Sequence, residues 1–345
     1  MIRGLRMRSP LLGAVVLGAT CIVGTQATSP AFVAPCTVQL ASPLVVPLGS
    51  VPGGVVIDHA CKHVYLTNSL QNRVEVFSLE TMTLEEPIDV GAQPVGLDVT
   101  PDDSLLYVAN SGGNNVSVVN LTRRVEARRL RMAHTTNFND RPYSIGIASN
   151  GKAIFSTTFN GTGFGGRMME IDLATDQIAY RGEAGINGNV TERTRIRPSH
   201  DRSVLTVLFS QRIQFYRAVT NTFDSPALQS SQVNDLGVNA SGTMFFAIPA
   251  GWVLDAGLNQ IGTIINGSGS VGSAVSPNGA IAYRTMASRV EILNLATFLK
   301  TGEIALGDSV TGSTPYASAG QVDLSGDGKL LAVTTTTGFS LVQVQ

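Results

Sequence analysis

The chain is poor in the residues on which most catalytic and cofactor chemistry depends. It has four histidines, His59, His63, His134 and His200, and one tryptophan, Trp252. One tryptophan excludes the repeated tryptophan motifs of quinone-cofactor propellers. No Cys-x-x-Cys-His haem attachment, Gly-x-Ser-x-Gly elbow or phosphate-cradling P-loop occurs. Charged residues are only 14% of the chain and balance to a formal −1, which removes the electrostatic basis of nucleic-acid binding. The apolar run Leu11 to Val23 falls short of the roughly 20 residues that a membrane-spanning helix needs.

What is present begins with an export pattern. Arg3, Arg6 and Arg8 precede that apolar run, and Thr25 and Ala27 suit cleavage after Ala27. Residues 1–27 are therefore expected to be a signal peptide, 28–37 a short leader and 38–345 one mature domain that is secreted or periplasmic. An uncleaved anchor, or lipidation at Cys21, is the alternative, although Gly18-Ala19-Thr20 is a poor lipidation context. Cleavage leaves Cys36 and Cys61, an even number in an exported chain.

Hydrophobic residues are 43%, and 36 glycines are spread along the chain, which suits many short strands joined by tight turns. Internal repetition is the main signal. From Gly53 and from Pro94 the same order recurs: an apolar strand, a turn, a strand ending YLTN (65–68) or YVAN (107–110), a turn, and an alternating strand. Weaker copies follow from Pro142, Thr194, Asn234, Gly272 and Gly320. Matching the last apolar residue of each first strand selects Ile57, Val99, Ile147, Ile196, Val238, Val275 and Leu324, at intervals of 42, 48, 49, 42, 37 and 49 residues. A four-stranded blade takes roughly 40–50 residues, so an all-β, seven-bladed propeller of four-stranded antiparallel blades is expected.

The last repeat holds only three strands, and Val38 to Leu48 resembles a fourth strand without a blade. Placed outermost on blade 7, it closes the ring and removes an exposed edge. That closure brings Cys36 to the face that carries the Cys61 turn of the neighbouring blade, so a Cys36–Cys61 disulfide is expected. Asp323 to Asp327 has too few acidic ligands for calcium and reads as a hairpin turn. His59 and His63 flank Cys61 without a third ligand, so they read as solvated turn residues and no metal is expected.

YLTN and YVAN resemble the YVTN family of WD40-like β-propeller repeat proteins, and the similarity runs in weakened form over roughly 38–345. The resemblance implies a seven-bladed ring, often exported, that usually binds a partner. Fold alone supplies no activity. The residues offer two places for function. One is the polar segment 132–144, where His134, Asp140 and Arg141 supply a base, an acid and an anion clamp. The other is the set of first strands around the axis, with Asp98, Arg193, Arg195 and Asp323, joined by Arg284 after a second strand. The preferred expectation is a monomeric, non-enzymatic scaffold that binds a protein, a glycan or a small anionic ligand and needs no cofactor. The alternative is a lactonase-like hydrolase that uses His134, Asp140, Arg141 and Arg195 at the axial mouth.

Overall fold

Short runs that alternate apolar and polar residues, broken by turn formers, cannot bury themselves alone, so they pair into sheets. In the computed structural model seven sheets, each built around four antiparallel strands, form the blades, and 313–314 pairs with 317–318 in a small further sheet. The structure describes residues 35–132, 140–158, 166–185, 194–209, 212–225, 227–229, 233–265, 267–311 and 320–344, with Met1, Val190, 313–314 and 317–318 besides. Blade 2 has the plain pattern, with strands Pro94–Val99, Leu105–Asn110, Asn115–Asn120 and Val125–Arg131 paired in order. The first strands of the other blades are Val55–Ile57, Arg141–Ile147, Arg195–Pro198, Val233–Val238, Ser270–Val275 and Val322–Leu324. Each touches the first strands of both neighbouring blades, and the cycle closes between blades 7 and 1.

The core is divided among the interfaces between blades. Seven clusters of buried apolar side chains each join two adjacent blades. Between blades 1 and 2, Val74, Val76, Val99, Leu106 and Val108 interlock. Close approach has a local requirement at Gly96, where a Cβ would stand 2.5 Å from the Tyr143 carbonyl oxygen of the next blade.

Ring closure follows the sequence expectation. Leu44–Pro47 pairs antiparallel with Gly338–Gln343, in the register Leu44 with Leu341 and Pro47 with Gly338. The paired segment is shorter than the expected 38–48, but Val38 is still buried in the cluster joining blades 7 and 1. Cys36 and Cys61 form a disulfide with a Cα–Cα distance of 5.2 Å. The Cys36 amide also donates to Asp327 Oδ2 at 2.9 Å, so an acidic residue of the blade 7 turn anchors the same segment.

The turn between the first and second strands has the same geometry in all seven blades. Its fourth residue donates its amide to the carbonyl three residues earlier and lies in the left-handed region: Cys61, Asp103, Gly151, Arg202, Gly242, Gly279 and Gly328. This alignment corrects the register read from the sequence in blade 4. The residue four before Arg202 is Pro198, so Pro198 rather than Ile196 corresponds to Ile57 and Val99.

Candidate functional site

With the register corrected, two rings of equivalent positions surround the axis. Three residues before each anchor stand Gly54, Gly96, Ser144, Arg195, Asp235, Gly272 and Gln321. One residue before stand Val56, Asp98, Gly146, Arg197, Gly237, Ala274 and Asp323. Most of these positions are small or apolar. The charges therefore concentrate on blade 4, which adds His200 and Arg202 in its turn, and on carboxylates of blades 2, 5 and 7.

An axial cavity of about 120 Å³ lies at the end where the first strands begin, lined among others by Ser144, Arg195, Arg197, Gln321, Asp98 and Asp323. Asp235 is fully buried behind it and accepts Arg197 Nε and Nη2 at 3.3 and 3.1 Å and the Ser273 amide at 2.9 Å. Arg197 also reaches across to blade 7 and donates Nη1 to the Val322 carbonyl at 2.6 Å. Arg195 is less committed. Its Nη1 stands 3.6 Å from Asp235 Oδ1 without a hydrogen bond, and its side chain remains 24% exposed to the cavity.

Asp323 faces Arg195 and Arg197 in the same cavity. Its Oδ2 accepts the Ile57 amide at 2.7 Å, and Oδ1 has no partner among the described residues. Burial pushes its carboxyl up to about 6, against the opposing pull of the Ile57 amide and Arg197, with the Asp98 charge adding to the rise.

Below Asp323 a second cavity of about 70 Å³ is bounded by His59, Ser199, His200, Arg202 and Asp98. Here Arg202 spans the axis. Its Nη1 and Nη2 clasp Asp98 at 2.7 and 3.0 Å, and its Nε donates to His59 Nε2 at 3.0 Å. That bond fixes His59 as the tautomer whose Nδ1–H donates to Asp103 Oδ1, 2.7 Å away. His200 is held neutral, because burial and the Arg202 charge push its imidazole down to about 4. Blade 4 thus stitches blades 1, 2, 5 and 7 together across the axis, and among the described residues of the two cavities Arg195 Nη1 and Asp323 Oδ1 are left without a hydrogen-bond partner.

The residues expected from the sequence divide accordingly. Asp98, Arg195 and Asp323 line the axial cavity. Arg284 lies in the second strand of blade 6, 2% exposed and bound to Glu291 at 2.6 Å, so it is not brought to the axis. Asp140 is buried, accepts the Thr157 hydroxyl at 3.1 Å and stands 3.9 Å from Arg167; Arg141 begins the first strand of blade 3 beside Thr158. Neither lines an axial cavity, and His134 and Arg193 lie outside the described residues. His59 and His63 are not simply solvated, since Nδ1 of each lies within hydrogen-bonding distance of a carboxylate, Asp103 and Asp58 respectively. The sequence places Arg197 beside Arg195 only as added positive charge, and it gives Asp235, His200 and Arg202 no role. The two-residue slip in blade 4 gave the position one before the anchor to Arg195 instead of Arg197. A correct alignment of the turns would have shown His200 matching His59, and Arg202 standing where four other blades have glycine. Among the described residues no group of three or more His, Cys, Asp or Glu side chains is placed to hold a metal.

Comparison with known proteins supports the architecture more than any activity. A family model described as lactonase, 7-bladed beta-propeller, matches residues 34–161, which span blades 1 and 2 and part of blade 3. No curated protein sequence matches at a significant level. Among solved structures, a chain from Kuenenia stuttgartiensis hydrazine synthase superposes with a TM-score of 0.63 at 16% identity, over 89% of this chain and 99% of that one. At that identity the likeness is one of fold: the chain is a seven-bladed propeller whose polar residues converge on its axis.

Proposed function

We propose that the protein is a binding propeller for a small carboxylate-bearing ligand, taken up in the axial cavity by Arg195. The observation that carries this reading is the convergence of two guanidinium groups on one carboxylate. Arg195 and Arg197 both address Asp235, and Arg197 takes the hydrogen bonds. Arg195 is left without a hydrogen bond, 3.6 Å from Asp235, and lines a cavity large enough for a ligand of roughly five to eight heavy atoms. A guanidinium presents paired donors that match a carboxylate, and a partly desolvated one favours such a partner.

The mature domain is further proposed to begin near residue 38, to act as a monomer outside the cytoplasm, and to carry repeats of the YVTN type. The Cys36–Cys61 disulfide and the export pattern before it support an oxidising compartment. Thermal-shift titration with formate, acetate, propionate and matched amines tests the ligand class. Carboxylates are expected to raise the melting temperature, and Arg195→Gln to weaken their binding at least tenfold. Stabilisation by amines alone, or unchanged carboxylate binding in the variant, contradicts the reading.

The partial lactonase-family match favours a second reading, lactone hydrolysis in the same cavity. There the Asp323 carboxylate would take a proton from water as the hydroxyl adds to a lactone carbonyl held by Arg195. The ring C–O bond would then break as that proton passes to the departing oxygen. Constant-pH titration with aliphatic and sugar lactones separates the readings. Turnover abolished by Asp323→Asn supports hydrolysis, and its absence in wild type leaves binding alone.

A further inference from the structure

The axial cavity holds an unsatisfied cation and an unsatisfied anion that do not pair with each other. Arg195 has only its long contact to Asp235, and Asp323 Oδ1 has no partner among the described residues, although both line one cavity. Every other charge near them is matched. Asp98 is clasped by Arg202 and also accepts the Ile147 amide at 2.6 Å, while Asp235 is filled by Arg197 and Ser273.

The charge balance points the same way. Two guanidinium groups, Arg195 and Arg197, and two carboxylates, Asp98 and Asp323, line the axial cavity, and their partners Arg202 and Asp235 add one charge of each sign, so this set is neutral once Asp323 is ionised. A bare carboxylate would bring a net negative charge into a partly desolvated, neutral site and lie beside Asp323, which is unfavourable. A ligand with a positive group as well keeps the site neutral and satisfies both free groups. Gln321 and Ser144 add uncharged polar groups between them.

We infer that the ligand is a small zwitterion, an amino acid whose carboxylate lies on Arg195 and whose ammonium lies on Asp323. The inference rests on the carboxylate reading above and narrows it to one chemical class. Asp323 acts as the selecting residue, because Arg195 alone binds any carboxylate.

Calorimetric titration at pH 8 provides the test, with glycine, β-alanine and 4-aminobutyrate set against acetate, propionate and butyrate. At least one amino acid is expected to bind tenfold or more tightly than the carboxylate of the same length. Asp323→Asn keeps an acceptor for the Ile57 amide, and it is expected to erase that preference while carboxylate binding persists. Equal binding of each pair in wild type, with both members lost in Arg195→Gln, overturns the zwitterion and leaves the carboxylate reading intact. A preference that survives Asp323→Asn overturns the role of Asp323. Failure of every probe to bind wild-type protein overturns both readings.

Discussion

Three of the seven left-handed turn positions are not glycine, and each of the three side chains has a task. Cys61 forms the disulfide, Asp103 holds His59, and Arg202 clasps Asp98 across the axis. A side chain in this backbone region costs roughly 1–2 kcal/mol, which marks these positions as ones where the side chain is used. Arg202→Gly relieves that strain but leaves Asp98 buried with its charge unpaired, a loss of about 3–5 kcal/mol. Urea denaturation is therefore expected to show a net destabilisation of about 2–4 kcal/mol, and a variant as stable as wild type contradicts the bridge. Asp323 behaves in the opposite sense. Its folded carboxyl titrates near 6, above the unfolded value, so its contribution is fully present below pH about 4 and is lost as pH rises through about 6. Asp323→Asn is thus expected to stabilise the protein above pH 6, by at most about 3 kcal/mol, with the gain vanishing below pH 4. Melting curves across that range check the sign.

At the scale of strands and blades, the closing segment was largely legible because its signal is local. Leu44-Val45-Val46-Pro47-Leu48 is a short apolar run of strand length, and the last repeat lacks a strand that this segment supplies. The disulfide adds to that closure. In the loop-entropy view, a cross-link between residues 25 apart contributes about 3 kcal/mol. Reduction, or the double change Cys36→Ser with Cys61→Ser, is expected to lower stability by roughly that amount, read from the urea midpoint at unchanged slope. Blade 4 was the element read least well. Its first strand carries RIRP, where a polar residue replaces the usual apolar alternation, so Ile196 drew the register away from Pro198. The partners of its arginines are also remote in sequence: Asp98 is 104 residues from Arg202, and Val322 is 125 from Arg197. Such pairs follow only from the closed ring, so Asp98 and Asp323 could be named from the sequence but their partners could not.

For the whole molecule, the architecture separates stability from function. Apolar clusters between neighbouring blades hold the ring, while the axis collects buried charge from five blades. Concentrating arginines on one blade lets a single element tie opposite sides of the ring together, so the axis is crossed by Arg197 and Arg202 and not left as an open pore. The cavity above that crossing keeps Arg195 and Asp323 free, and the account depends on a ligand occupying it. The most direct measurement is a crystal structure of the mature domain grown with whichever of glycine, β-alanine and 4-aminobutyrate binds most tightly. The account predicts difference density in the axial cavity, with a carboxylate against the Arg195 guanidinium and the other end within hydrogen-bonding distance of Asp323. An empty cavity at saturating concentrations of all three amino acids, or the ligand held only on the outer strands, would contradict it.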